Sequence, residues 1–137
     1  MTKPLPRAIL FAVIALIVSA IVSAIVLIAM VGLPGSRDAA AEFQRQAIAQ
    51  AVQVDLIVGG IVALIAGWLA ARPFAGREAT VTGLMTGLAF VLADLAIVFL
   101  VGNSDRLDLN AMGLSYAVKV AAATLGGVLA GRRATAA

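Results

Sequence analysis

Four long apolar runs, separated by short polar breaks, take up most of the chain. They extend over residues 7–32, 47–71, 79–102 and 110–131. A helix needs about 20 apolar residues to cross the hydrocarbon core of a bilayer, and each run reaches that length. The pattern therefore predicts an all-α fold, a bundle of four transmembrane helices, with residues 1–137 forming a single membrane domain.

The breaks between the runs contain residues that end helices. Pro34-Gly35, Arg72-Pro73 and Gly102-Asn103 mark the three connections, because Pro and Gly favour turns over helix interiors. Residues 39–50 contain Ala, Glu, Gln and Arg in proportions that favour helix. We therefore expect the second helix to begin in the membrane interface, before it enters lipid.

Basic residues are divided unequally between the two sides that four spans would define. Since cytoplasmic loops are enriched in Lys and Arg, the division predicts an N-in/C-in protein, with both termini cytoplasmic, in the inner (plasma) membrane. Lys3 and Arg7 before an apolar run also resemble a signal peptide, but the run continues through Met30, so we expect an uncleaved first helix. The predicted cytoplasmic side holds Lys3, Arg7, Arg72, Arg77, Arg132 and Arg133, and the other side holds Arg37, Arg45 and Arg106 with Asp38, Glu42, Asp105 and Asp108.

Composition supports lipid as the solvent and narrows the chemistry. The chain is 63% hydrophobic and 12% charged, against about 45–50% and about 25% in soluble domains. It contains no Cys and no His, which excludes disulfides and the sites and triads that need those side chains. We expect no enzymatic activity, no cofactor and no metal, and no nucleic-acid partner, because no basic patch faces water.

Stripes of small residues run along each predicted helix. Lipid provides no hydrophobic drive between helices, so membrane bundles pack closely along such stripes. We predict packing within one bundle, with a homodimer face as the alternative. The first helix offers Ala8, Ala12, Ala15, Ser19 and Ser23, and the predicted packing glycines of the others are Gly59, Gly60, Gly67, Gly83, Gly87, Gly126, Gly127 and Gly131.

Three ionisable residues fall inside the spans: Asp55, Asp94 and Lys119. Each costs roughly 2.5–3.5 kcal/mol at a helix centre, so such groups normally face the bundle and have a partner. At ~1.5 Å per residue, all three lie ~12–14 Å from the outer ends of their helices, in one layer. We expect an Asp94 to Lys119 pair, with Asp55 protonated or reached by water among the nearby polar residues Gln50, Gln53, Ser115 and Tyr116.

Three interpretations of this layer remain open. It could be an ion-pair staple that fixes helix register, a role that does not require the pair to add net stability. It could be an outward-facing proton or cation site, since two carboxylates and one ammonium leave a formal charge of −1. It could also pair Asp55 with a charge on a partner subunit.

A few other side chains suggest roles. Trp68, Phe11 and Phe74 are expected to be anchors at the membrane interface, where aromatic side chains are enriched. Thr80, Thr82 and Thr86 could line a path through the third helix, although threonine in membrane helices usually bonds its own backbone.

The glycine pattern carries a family resemblance. Gly59-Gly60 leads to a basic turn at Arg72, Gly83 and Gly87 follow in the third helix, and Gly126-Gly127 lie in the last. In this the chain resembles small uncharacterised four-helix bacterial membrane proteins of the YrzE-like kind, a resemblance that implies a fold and no activity. Small four-helix multidrug transporters have similar length but carry an essential acidic residue in the first helix, and residues 7–32 contain none.

The sequence therefore predicts a small integral membrane protein of structural or accessory type. Its expected partners are the lipid bilayer and either further copies of itself, as a homo-oligomer, or a larger membrane complex. The alternative is a small oligomeric transporter or channel, linked to protons or cations, that uses Asp55, Asp94 and Lys119.

Overall fold

Four helices make up the computed structural model, which describes residues 3–32, 37–101 and 109–136. They are α1 (Pro4–Val31), α2 (Arg37–Ala71), α3 (Gly76–Val101) and α4 (Leu109–Ala136). Each helix is long and apolar enough to cross a membrane. Within the described residues, the predicted all-α class with four such helices is confirmed.

The helix ends follow local backbone chemistry. α1 begins at Pro4, three residues before the apolar run, because the fixed φ of proline suits the first helical turn. It ends before Gly32, whose φ of 84° lies in the left-handed region that favours glycine. The Gly32 amide donates to the Ile28 carbonyl at 2.8 Å. α2 begins at Arg37, well ahead of the predicted apolar run. α4 continues to Ala136, since nothing after residue 131 breaks a helix.

A tight turn at residues 72–75 joins α2 to α3. The Phe74 amide donates to the Ala71 carbonyl at 2.9 Å, and the Phe74 side chain is buried against Ala71, Ala79 and Ala130. The expectation that Phe74 anchors the chain at the membrane interface is therefore wrong. Its ring fills the space that three alanines leave beneath the turn.

Several sequence expectations fall outside the described residues. These are the breaks at 33–36 and 102–105, the charges Asp105, Arg106 and Asp108, and the side chains of Arg37 and Asp38.

The four helices pack antiparallel to their chain neighbours. The Arg7 side chain reaches the end of α2, and Gly131 lies against Ala79 near the start of α3. The start of α1, the end of α4 and the turn at residues 72–75 therefore share one end of the bundle, which we call the termini end. Gly32, the start of α2, Val101 and Leu109 lie at the other, the loop end. α1 and α4 each pack against α2 and α3, from opposite sides.

Small residues fill the interior, and large aliphatic side chains point outward. The buried apolar positions are mostly alanines, while Ile17, Ile25 and Leu92 are among many large aliphatic residues that are exposed. A soluble bundle shows the opposite arrangement. Small interior residues let helix backbones approach closely where lipid provides no hydrophobic drive.

The adjacent glycines of α4 bring that helix against both of its neighbours. A Cβ at Gly126 would meet the Leu64 carbonyl oxygen of α2, and one at Gly127 would lie 2.5 Å from the Ala79 carbonyl oxygen of α3. In return, Gly67 and Gly83 face the Ala123 carbonyl oxygen of α4. Three backbones are therefore in direct contact over the half of the bundle nearest the termini end. Gly87 and Gly131 extend the α3 to α4 contact on either side of it.

The contact between α3 and α4 can be tested with a matched pair of glycine variants. Gly127→Ala should lower stability by about 1–3 kcal/mol because its Cβ would overlap backbone. Gly113→Ala, on the same helix, meets nothing within 4 Å and should be neutral or stabilising by up to about 1 kcal/mol from helix propensity. Thermal unfolding in mild detergent measures both. Equal stability of the two variants would contradict the contact.

Candidate functional site: a buried lysine between two carboxylates

Asp55 of α2, Asp94 of α3 and Lys119 of α4 meet inside the bundle. The Lys119 ammonium lies 2.9 Å from both carboxylate oxygens of Asp55 and 3.2 Å from Oδ2 of Asp94. One ammonium therefore ties three helices together. We refer to these three residues as the charged cluster.

Asp55 is a closer partner of Lys119 than the sequence suggests. The expected contact between Asp94 and Lys119 is present, but the expectation that Asp55 stands apart from the ammonium is wrong. The reason lies one turn along α2, at Gly59. A Cβ there would lie 2.5 Å from Lys119 Cε and 3.5 Å from Nζ, so the missing side chain opens the space in which the lysine reaches Asp55.

Polar neighbours of the cluster come mainly from α4. Ser115, one turn before Lys119, donates to Asp55 Oδ2 at 2.6 Å. The side chain of Tyr116 interacts with Asp94. Of the two glutamines expected nearby, Gln53 is exposed, and Gln50 Oε1 is buried without a hydrogen-bond partner among the described residues.

Two aromatic rings complete the surroundings of the ammonium. Lys119 Nζ lies 5.3 Å from the ring centroid of Phe90 and 5.3 Å from that of Tyr116, within the range of cation–π attraction. Phe90 and Lys119 are each only 1% exposed. The cation is therefore enclosed by carboxylates on one side and by aromatic faces on the other.

The carboxylates are less enclosed than the ammonium. The side chains of Asp55 and Asp94 are 41% and 28% exposed, whereas that of Lys119 is 1% exposed. The cluster contains two acidic groups and one basic group, a formal charge of −1. A further proton, cation or basic side chain can thus reach the carboxylate edges without displacing the lysine.

The half of the bundle between the cluster and the termini end is tightly closed. The Gly67 and Gly83 contacts with Ala123 lie beyond Lys119 in that direction. The hydroxyls of Thr82 and Thr86 donate to carbonyls four residues earlier, each at 2.8 Å. The expectation that threonines bond their own helix is confirmed. Both hydroxyls are therefore already hydrogen-bonded, and both residues are buried.

Arg7 makes a contact at the termini end that no sequence motif predicts. Arg7 of α1 donates to the carbonyls of Leu69 and Ala70, at 3.1 and 2.9 Å, which are left without helical partners at the end of α2. Its guanidinium also lies over the Phe11 ring, 5.0 Å from the centroid. The only signal in the sequence was a basic residue predicted at the same end as the last turn of α2.

Comparison of the chain with protein-family models, with curated proteins and with solved structures finds no match.

The role of Gly59 can be tested by its coupling to Lys119. Gly59→Ala should destabilise the protein by about 1–3 kcal/mol, because the added methyl overlaps the lysine side chain. In a Lys119→Ala background the same change should add almost nothing, since the obstructing atoms are gone. Unfolding of the four members of the cycle in mild detergent measures the coupling.

Gly60→Ala is the matched control. Its Cβ would face Val118, at 3.3 Å from a methyl group, and not Lys119. Its effect should therefore be the same in both backgrounds. If Gly59→Ala also has the same effect in both, Gly59 does not provide the space for Lys119.

Proposed function

We propose that this chain is a small multi-pass membrane protein of structural or accessory type, which associates with further copies of itself or with a larger membrane complex. Its charged cluster fixes how its helices pack. The support comes from how the lysine is neutralised, from the closed packing around it and from the charge distribution at the two ends of the bundle.

The observation that carries this proposal is the position of Lys119. Its ammonium has a carboxylate from each of two other helices and is almost completely buried. Such an arrangement is specific for one register of three helices, because a shift of any helix would strand a buried charge. Buried ion pairs contribute little net stability, but breaking one by removing a partner is costly. The cluster thus has the properties of an interhelical staple.

Charge at the ends of the bundle supports a both-termini-cytoplasmic topology. Arg7, Arg72, Arg77 and Arg133 all lie at the termini end, and Lys and Arg concentrate on the cytoplasmic side of membrane proteins. Trp68 lies at the same level, as expected for an aromatic side chain at an interface. The proposed location is the inner (plasma) membrane.

Association is supported by the uncompensated carboxylate surface. Asp55 and Asp94 keep exposed edges in helices that are otherwise apolar, where an unpaired charge is costly. A basic or hydrogen-bonding group from a second copy or from another membrane protein would satisfy them. The resemblance to YrzE-like proteins, based on glycines, is compatible with such a role.

A second candidate is a proton- or cation-linked transporter or channel that uses Asp55, Asp94 and Lys119. The observation in its favour is unsatisfied polarity toward the loop end. Ser23 Oγ and Gln50 Oε1 are buried without a hydrogen-bond partner among the described residues, and such atoms commonly bind water. Against a continuous path stands the closed packing between the cluster and the termini end.

The topology can be tested by labelling single cysteines, because the chain has none of its own. In intact cells, a membrane-impermeant maleimide should label Ser36→Cys and leave Ala75→Cys and Ala137→Cys unlabelled. All three should react once the membrane is permeabilised, which controls for reactivity. Labelling of Ala75→Cys or Ala137→Cys in intact cells would refute the proposed orientation.

The staple can be tested by removing charges singly and together. Lys119→Met should cost about 3–5 kcal/mol, because both carboxylates lose their partner. The triple variant Asp55→Asn, Asp94→Asn, Lys119→Met should regain most of that loss, as measured by thermal unfolding in mild detergent. Glu78→Gln, an exposed carboxylate on α3, controls for charge removal alone and should change stability by less than about 0.5 kcal/mol.

The same variants separate the staple from the alternatives. The native chain and the triple variant should show equal proton and cation permeability in liposomes containing a pH-sensitive dye, and should retain the same co-purifying proteins. A stable triple variant that lacks a flux seen with the native chain would overturn the staple in favour of the transporter. Loss of a partner without loss of stability would assign the carboxylates to the association.

A further inference from the structure

Two of the arginines at the termini end contact the ring of Trp68. The Trp68 ring has the Arg72 guanidinium 5.0 Å from its centroid and the Arg133 guanidinium 5.7 Å from it. Arg72 follows the last turn of α2, and Arg133 belongs to the last turns of α4. Two cations from neighbouring helices thus share one aromatic ring.

Neither guanidinium has a carboxylate partner among the residues that the structure describes. The carboxylates of Glu42, Asp55 and Asp94 pair with Arg45 and Lys119 and not with Arg72 or Arg133. Two positive groups on one ring repel each other. An anion placed between Arg72 and Arg133 would convert that repulsion into attraction, and a phosphate would offer oxygens to both guanidinium groups.

An apolar groove leads away from this basic pair along α2 and α4. It is lined by Leu64, Trp68 and Leu129 with Arg132 and Arg133, and has a volume of about 430 Å³. A second recess of about 230 Å³ adjoins it at Trp68, between Arg72, Ala130 and Arg133. The groove therefore has an apolar part that points into the span and a basic part at the bundle end.

We propose that this groove binds one anionic phospholipid, with its phosphate between Arg72 and Arg133 and an acyl chain along Leu64 and Leu129. The charge of the basic part selects an anionic headgroup, and basic recesses between membrane helices are suited to such headgroups. The apolar part fits an acyl chain, which a free inorganic anion does not have. This lipid site is separate from the charged cluster and does not depend on the staple.

The chain provides its own probe, because Trp68 is its only tryptophan. The protein is reconstituted in phosphatidylcholine vesicles that contain a fixed fraction of either brominated phosphatidylglycerol or brominated phosphatidylcholine. Bromine on a bound acyl chain quenches the Trp68 fluorescence, so the ratio of the two quenching curves measures the preference for the anionic lipid. The native chain should prefer phosphatidylglycerol.

Arginine variants locate that preference. Each of Arg72→Gln and Arg133→Gln should lower the preference for phosphatidylglycerol on the order of fivefold. Where the native preference is smaller than this factor, either change should abolish it. Arg77→Gln is the matched control, since Arg77 is exposed at the same end and is not among the residues that line the groove. It should retain the native ratio. Quenching by brominated phosphatidylcholine confirms that each variant is inserted.

Three results would overturn the proposal. The first is an unchanged preference in both Arg72→Gln and Arg133→Gln. The second is an equal loss in Arg77→Gln, which would indicate general attraction to a charged surface. The third is abolition of the preference by millimolar inorganic phosphate, which would make the site one for a free anion and not for a lipid.

Discussion

A charged side chain can be held inside an apolar bundle only when opposite charge comes with it, and the position of Lys119 shows what this requires of the other helices. The ammonium needs the carboxylates of Asp55 and Asp94 at the same depth, and its side chain needs space to reach them. Gly59 provides that space on α2. The backbone contacts of α4 then hold the lysine at the right height. Helix register, glycine placement and charge placement are therefore parts of one solution.

The two halves of the bundle are stabilised in different ways. Toward the termini end, backbones touch through glycines, and dispersion forces between closely packed atoms do most of the stabilising. Toward the loop end, where the charged cluster lies, the helices meet through ion pairs, side-chain hydrogen bonds and partly exposed carboxylates. A closely packed half thus supports a half in which charged side chains meet.

The sequence was sufficient to predict the number of helices and the meeting of the three charges. Both follow from periodicity and rise per residue: apolar runs set the helices, and equal distances from the helix ends put Asp55, Asp94 and Lys119 in one layer. The pairing within that layer could not be predicted, because it depends on the direction of one flexible side chain. That direction is decided by the space at Gly59. In the sequence nothing distinguishes this glycine from the others in the spans.

The different positions of two aromatic residues near the end of α2 could not be predicted from the sequence either. Trp68 and Phe74 both lie near the predicted end of α2, and composition gives no reason to separate them. The structure does so through the turn at residues 72–75, which folds the Phe74 ring inward over alanines and leaves Trp68 between two arginines. The difference arises from tertiary contacts, which local preference does not contain.

The order of the charged residues along the chain bears on how the protein is made. Lys119 lies 64 residues after Asp55 and 25 after Asp94, so during synthesis from the N-terminus both acids emerge from the ribosome before their base. The α1 and α2 hairpin can close early, because Arg7 already has the end of α2 to bind. Until α4 is in place, Asp55 and Asp94 lack Lys119 as their partner. Completion of α4 is thus the step that supplies the base of the charged cluster, and a chain truncated before Lys119 would leave both acids without it.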